Sequence, residues 1–208
     1  MVVLAAMPIE WRAIRHALSA SGNAAQLVRC GIGLKRWVPP PAPMPAFITC
    51  GLAGGLRPDL PPGTVVVADR VAMEDGEPVA CDPAWVAALV AGARACGREP
   101  VVGPMLTARQ LVVGDARGVW AERGFVAAEM ETALLIPTGA PLASLRVVID
   151  APAAELSERW VAPGRAAINP WRWREAMWLA ARAPRYSRLA ASCLAAGLTW
   201  AEELLPPG

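Results

Sequence analysis

At 208 residues, 55% hydrophobic and 18% charged, the chain has the composition of a packed domain with enough length for one large core, and disorder is excluded. With 20 basic residues against 18 acidic ones the formal charge is +2, too near neutrality for nucleic-acid binding to be read from the total. Cys30, Cys50, Cys81, Cys96 and Cys193 are odd in number and lack C-x-x-C spacing, and His16 is the sole histidine. That set argues against structural zinc, a disulfide framework and a hydrolase with a histidine base, so no metal is expected. The absence of a basic, apolar leader points to a cytoplasmic site. The 20-residue uncharged run Trp37 to Leu56 holds Pro39, Pro40, Pro41, Pro43 and Pro45, which rules out a spanning helix.

In chain order, Val2 to Ala6 is a short apolar run ending before Pro8, and Ile9, Trp11, Ile14 and Leu18 follow at near-helical spacing. A buried strand leading into an amphipathic helix is predicted. The apolar run Ala46 to Cys50 then enters the glycine cluster Gly51-Leu52-Ala53-Gly54-Gly55. Further strands are predicted at Thr64 to Ala68, Leu111 to Val113 and Leu145 to Ile149, with helices at Pro83 to Cys96 and Ala128 to Leu135. Such alternation implies an α/β protein with a mixed, largely parallel central sheet flanked by helices, and ligands then bind beyond the carboxyl ends of the strands.

Four places at strand ends or helix starts carry chemistry. Glu10 follows the first strand, either as an acid favoured at a helix N-terminus by about 0.3–1 kcal/mol or as a site acid. The cluster Gly51 to Gly55 lets backbone approach a ligand closely, although a tight turn would use the same residues. In Glu129-Met130-Glu131, alternate residues can turn a carboxylate toward a sugar diol beside a polarizable thioether, whereas the bland reading is a solvated helix start. Asp150 ends a buried run, where either a general acid of raised pKa or a turn cap can sit.

In this order the four resemble the nucleoside phosphorylase and nucleosidase superfamily, and within it the methylthioadenosine/adenosylhomocysteine nucleosidase branch. The resemblance covers roughly residues 1 to 150. It rests on Ala6-Met7 with Glu10, on Gly31-Ile32-Gly33-Lys35 with Leu34 inserted, on Gly51-Leu52-Ala53-Gly54-Gly55, on Glu129-Met130-Glu131 and on Arg146-Val147-Val148-Ile149-Asp150. Glu74-Asp75-Gly76 and Cys81-Asp82-Pro83-Ala84-Trp85 also resemble the hopanoid-associated subgroup that processes adenosylhopane.

The resemblance implies a three-layer phosphorylase/hydrolase-like fold and cleavage of the N-glycosidic bond of a 5′-substituted adenosine, the substituent being small or lipidic. Asp150 would protonate the leaving base and Glu10 would orient or deprotonate water. Met130, Glu131 and Glu129 would bind the ribose, and Gly51, Leu52, Ala53 and Gly54 would line the site. No cofactor is implied, phosphate is the alternative nucleophile, and a homodimer is expected. Two departures stand out: Leu52 and Ile149 each replace a family serine, so Asp150 must rely on backbone donors or on burial. A soluble nucleosidase for small thioadenosines and a non-catalytic nucleoside-binding module are the competing readings.

The organisation expected is a catalytic core over residues 1–158 and a helical carboxyl-terminal extension over 159–208. Between Arg159 and Arg188 lie seven arginines, one acid (Glu175), and Trp160, Trp171, Trp173 and Trp178. Tryptophan mixed with arginine suits contact of residues 159–188 with a membrane surface, making the protein peripheral at the inner face. A helix docked by its tryptophans, with arginines reaching water, would show the same composition.

Overall fold

A computed structural model describes residues 1–40, 44–153 and 173–204, with the side chains of 173–180 and 204 left aside. Strand β1 (Val2–Ala5) is buried throughout and leads into helix α1 (Pro8–Ser21). Pro8 suits the first helical turn because its missing N–H would have had no partner there. The helix stops at Gly22, whose φ of 72° is left-handed. Ile14 and Leu18 form its buried face, as their spacing predicts. His16 is exposed on the same helix.

The chain continues through β2 (Gln26–Arg29), a short 3-10 turn (Ile32–Leu34), β3 (Phe47–Gly55), β4 (Val65–Met73), β5 (Val79–Ala80) and α2 (Pro83–Ala95). Asp82 caps α2 by accepting the N–H groups of Ala84 and Trp85, each at 3.0 Å. Then come β6 (Val101–Thr107), α3 (Asp115–Glu122), β7 (Ala127–Glu129), a second 3-10 segment (Thr132–Thr138), β8 (Leu142–Asp150) and α4 (Trp173–Leu204).

The eight strands form one mixed sheet in the order β2-β1-β3-β7-β6-β4-β5, with β8 pairing both β3 and β4. The β1–β2, β1–β3, β3–β8, β4–β6 and β6–β7 pairs are parallel, and the β3–β7, β4–β5 and β4–β8 pairs are antiparallel. Strands β3, β8, β4, β6 and β7 therefore close into a ring. The α/β class with a mixed sheet flanked by helices is as the alternation predicts.

Three local expectations are corrected. Leu111 to Val113 is not a strand: the sheet position is taken by Val101–Thr107, paired to β4 and β7, and the next apolar run lies outside the ladder. Ala128 to Leu135 is not one helix. Strand β7 ends at Glu129, whose carboxylate takes the N–H groups of Glu131 and Thr132 at 3.0 Å and turns the chain into the 3-10 segment. The strand predicted over Ala46 to Cys50 does not stop there: β3 continues through the glycine cluster to Gly55, staying in register with β8 as far as Ala53 and shifting by one at Gly54.

Residues 159–172 of the Arg159 to Arg188 stretch, with Trp160 and Trp171, lie outside the described residues, as do the side chains of 173–180. Farther along, Ala190, Ala191, Cys193, Leu194 and Leu198 are buried in the cluster that holds Ile14, Leu18, Leu89 and Ala93 of α1 and α2. The end of α4 thus shares the core with the sheet. Among the described residues no helix is long and apolar enough to cross a membrane.

Helices α2 and α4 meet at glycines on both sides. A Cβ on Gly92 would sit 2.2 Å from the Cys193 carbonyl oxygen and 2.3 Å from the Gly197 nitrogen; one on Gly197 would sit 2.7 Å from the Ala88 carbonyl oxygen. Those neighbours are backbone, so relief requires the helices to separate. Gly92→Ala should cost about 1–3 kcal/mol, which at about 2–4 °C per kcal/mol is a fall in Tm readable by calorimetry.

Candidate active site

The carboxyl ends of β1, β3, β7 and β8 open onto a cavity of about 570 Å³. Its polar side chains are Glu10, Glu129, Glu131, Arg146, Asp150, Arg117 and Gln110, and its other walls are predominantly apolar. Every residue expected at the site except Gly51 lines this cavity, and Gly51 has a different task in it.

Arg146 organises the acids. It is one of the largest fully buried side chains and comes from β8, where all residues are buried. Its Nη2 donates to Glu129 and to Glu131 Oε2 at 3.3 Å. Burial disfavours the cation, but Glu129, Glu131 and Glu10 together outweigh it and hold the guanidinium above its usual range. Glu129 is saturated: besides Arg146, it accepts Thr107 Oγ1, Thr132 Oγ1 at 2.9 Å and the two backbone N–H groups that end β7. Glu129 thus belongs to the cavity wall with its carboxylate occupied by internal donors.

Glu131 is held more loosely, accepting the Gly33 N–H at 3.1 Å in addition to Arg146. That N–H is aimed by the left-handed turn at Gly31 (φ 74°) and Gly33 (φ 63°), which gives the Gly31-Ile32-Gly33 motif a local purpose. Burial pushes the Glu131 carboxyl up to about 7; Arg146 opposes this, and the charges of Glu129 and Glu10 add to it.

Glu10 is 1% exposed, and its carboxylate joins two elements. Oε2 accepts the Met7 N–H at the start of α1, and Oε1 accepts the Leu52 N–H of β3, both at 2.8 Å. Burial raises its pKa, opposed first by Arg146 and then by these backbone donors. Gly51 makes the approach feasible: a Cβ there would stand 2.3 Å from Glu10 Oε1. The glycine expected to admit a ligand instead admits this carboxylate.

Asp150, at the end of β8, is 5% exposed. Its partner was not evident in the sequence: Arg117 of α3 forms an ion pair with Asp150 Oδ2 and donates from Nη1 to the Gly55 carbonyl at 2.6 Å. Asp150 is buried, one of the two supports expected for it, and the structure adds a charged side-chain partner. Ile149 and Leu52, the two departures from serine, both line the cavity and make it more apolar. Leu111, Val112 and Val113, misassigned as a strand, form another part of its wall. His16 is not among the lining residues. Among the described residues no group of three or more His, Cys, Asp and Glu side chains is placed to hold a metal ion.

A ring of strands whose ends converge on buried acids, two arginines and an apolar cleft is an α/β scaffold with a charged site at its strand ends. The Phosphorylase superfamily matches residues 42–162, more than half of the chain, and the chain belongs to that superfamily. No curated protein sequence matches it. Among solved structures it is similar to the 5′-methylthioadenosine/S-adenosylhomocysteine nucleosidase of Neisseria meningitidis in complex with methylthio-immucillin-A (18% identity, TM-score 0.73, covering 96% of this chain and 98% of that one). It is also similar to the S-adenosylhomocysteine nucleosidase of Streptococcus pyogenes (21% identity, TM-score 0.68, 99% and 96%) and the futalosine hydrolase of Helicobacter pylori (16%, 0.68, 95% and 96%). At these identities the likeness is one of fold.

Two predictions come from this geometry. Gly51→Ala should displace Glu10 from the Leu52 N–H, lowering Tm and shifting the Leu52 amide in NMR spectra; an unmoved Leu52 amide would contradict the contact. Glu131 ionises near 4.5 in an unfolded chain and near 7 in the folded one, so the folded state holds an extra proton between those values. Its contribution to stability is full below about 4.5 and lost as pH rises to about 7. The fall in Tm between pH 5 and pH 8 should therefore be smaller in Glu131→Gln than in the unaltered protein.

Proposed function

We propose that the protein is a purine nucleosidase that hydrolyses the N-glycosidic bond of a 5′-substituted adenosine and releases adenine. The observation that carries this reading is the convergence of Glu10, Glu131, Arg146 and Asp150 on one cavity with apolar side walls. Cleavage leaves an oxocarbenium-like sugar and needs a proton on the departing base. Asp150 supplies that proton, the C1′–N9 electron pair leaves with the base, water adds to C1′, and Glu10 takes the proton that water loses. Glu131 accepts hydrogen bonds from the ribose hydroxyls, and Met130 packs against the sugar or base. The buried carboxylates stabilise the developing positive charge.

Water is favoured over phosphate by the charge of the lining. Glu10, Glu129, Glu131 and Asp150 face only Arg117 and Arg146 among the described lining residues. Both cations already have carboxylate partners, so a phosphate dianion beside Glu10 would enter a field of its own sign. The resemblance of Glu74-Asp75-Gly76 and Cys81-Asp82-Pro83-Ala84-Trp85 to the hopanoid-associated subgroup suggests adenosylhopane as the substrate. Leu52, Ile149 and the Leu111 to Val113 segment support a long apolar 5′ substituent, because each adds apolar surface to the cavity. On this reading the protein works at the cytoplasmic face of a membrane, with residues 159–188 meeting the lipid surface.

The test is adenine release from methylthioadenosine and from detergent-dispersed adenosylhopane, each with and without phosphate. Phosphate-independent release from the long substrate is expected, and Asp150→Asn should reduce it about 10²- to 10⁴-fold. Release from methylthioadenosine alone would replace the lipid substrate with a small thioadenosine. No release from either would leave a nucleoside-binding module.

A further inference from the structure

Helix α3 is short, and the only side chain of Asp115–Glu122 that is fully buried is an arginine. Arg117 is 2% exposed and lines the cavity. Its guanidinium spans two strand ends, with Nη1 on the Gly55 carbonyl of β3 and Nη2 on Asp150 Oδ2 of β8. Asp150 Oδ1 faces Gly54, where a Cβ would stand 3.2 Å away, so the carboxylate is bounded by backbone on one side and by the guanidinium on the other. Gly114, with φ 56°, sets the approach of the helix that delivers this arginine.

Stability alone is a poor reason for this arrangement. Taking a guanidinium and a carboxylate out of water costs several kcal/mol per ion before their attraction is counted, and an apolar pair of similar volume is often as stable or more so. A helix needing an anchor would be served as well by a methionine or leucine.

We infer that Arg117 is a positioning residue for the acid: it fixes the Asp150 carboxyl at the cavity wall and stabilises the carboxylate left when its proton passes to the departing base. The inference rests on the nucleosidase reading above. In the step concerned, Asp150 first takes up a proton from solvent and then gives it to a ring nitrogen, the C1′–N9 pair departs with the base, and the negative charge returns to Asp150 beside Arg117. An arginine already in place there lowers the barrier without reorganisation. Its guanidinium is engaged by Asp150 and the Gly55 carbonyl, so it acts on the step through the acid.

Arg117→Ala should lower kcat about 10- to 100-fold while KM stays within about twofold, a split expected when only the transition state loses an interaction. Guanidinium ion added at a sub-denaturing concentration should restore part of that loss. Arg117→Lys, which keeps a charge, gives a second route should the alanine variant not fold, and its kcat should fall less. The deciding comparison is made in an Asp150→Asn background, where either Arg117 substitution should add little to the loss already present. An equal fall in both backgrounds, or a raised KM with unchanged kcat, would overturn the positioning role while leaving the nucleosidase reading intact. Absence of adenine release from the unaltered protein with every substrate would overturn both.

Discussion

The site depends on one buried cation. Arg146 stands inside the strand ring, 2% exposed, with Glu129 and Glu131 on its Nη2 and Glu10 within its field. Without Arg146, the protein would hold three buried carboxyls close together, and such groups avoid mutual repulsion only by taking up protons or moving apart. Burial raises Glu10 and Glu131 while Arg146 pulls them back, so the guanidinium sets how many negative charges the cavity carries near neutrality. The backbone then divides the acids by role. Glu129 is tied down by the residues that end β7, whereas Glu131 keeps a single backbone partner and Glu10 bridges α1 to β3.

Strand closure explains why the acids meet at all. Glu10 and Asp150 are 140 residues apart in the chain, yet β1 and β8 both flank β3, and each acid reaches the cavity from the same end of the sheet. The register shift between Ala53 and Gly54 brings Asp150 opposite Gly54. From there its carboxyl meets α3, the helix that connects β6 to β7.

Much of this was legible because strand ends punctuate the sequence. Glu10, Glu131 and Asp150 each follow an apolar run, and in a parallel sheet such residues gather at one edge. Arg117 left no such mark, since Asp115-Ala116-Arg117-Gly118 reads as an ordinary polar helix start and burial of its arginine is settled only by tertiary packing. The run Leu111-Val112-Val113 misled for a related reason: three apolar residues look alike whether they face a sheet neighbour or a ligand cavity. Gly51 was recognised as a point of close approach, but sequence alone does not say which atom approaches. Thr107 and Thr132, which complete the hydrogen bonding of Glu129, come from separate elements and form no motif.

The 2.3 Å separation between a Cβ at position 51 and the Glu10 carboxylate also governs how this chain can change over generations. Neither position is free to drift by itself: a side chain at 51 is barred while the acid at 10 is long, and it becomes admissible once that acid is shortened. Lineages that keep Glu10 should therefore keep glycine at 51 even where the rest of β3 varies. Those that abandon the acid should be the ones in which alanine or serine enters, so the residue at 51 serves as a historical record of whether the carboxylate at 10 is still in use.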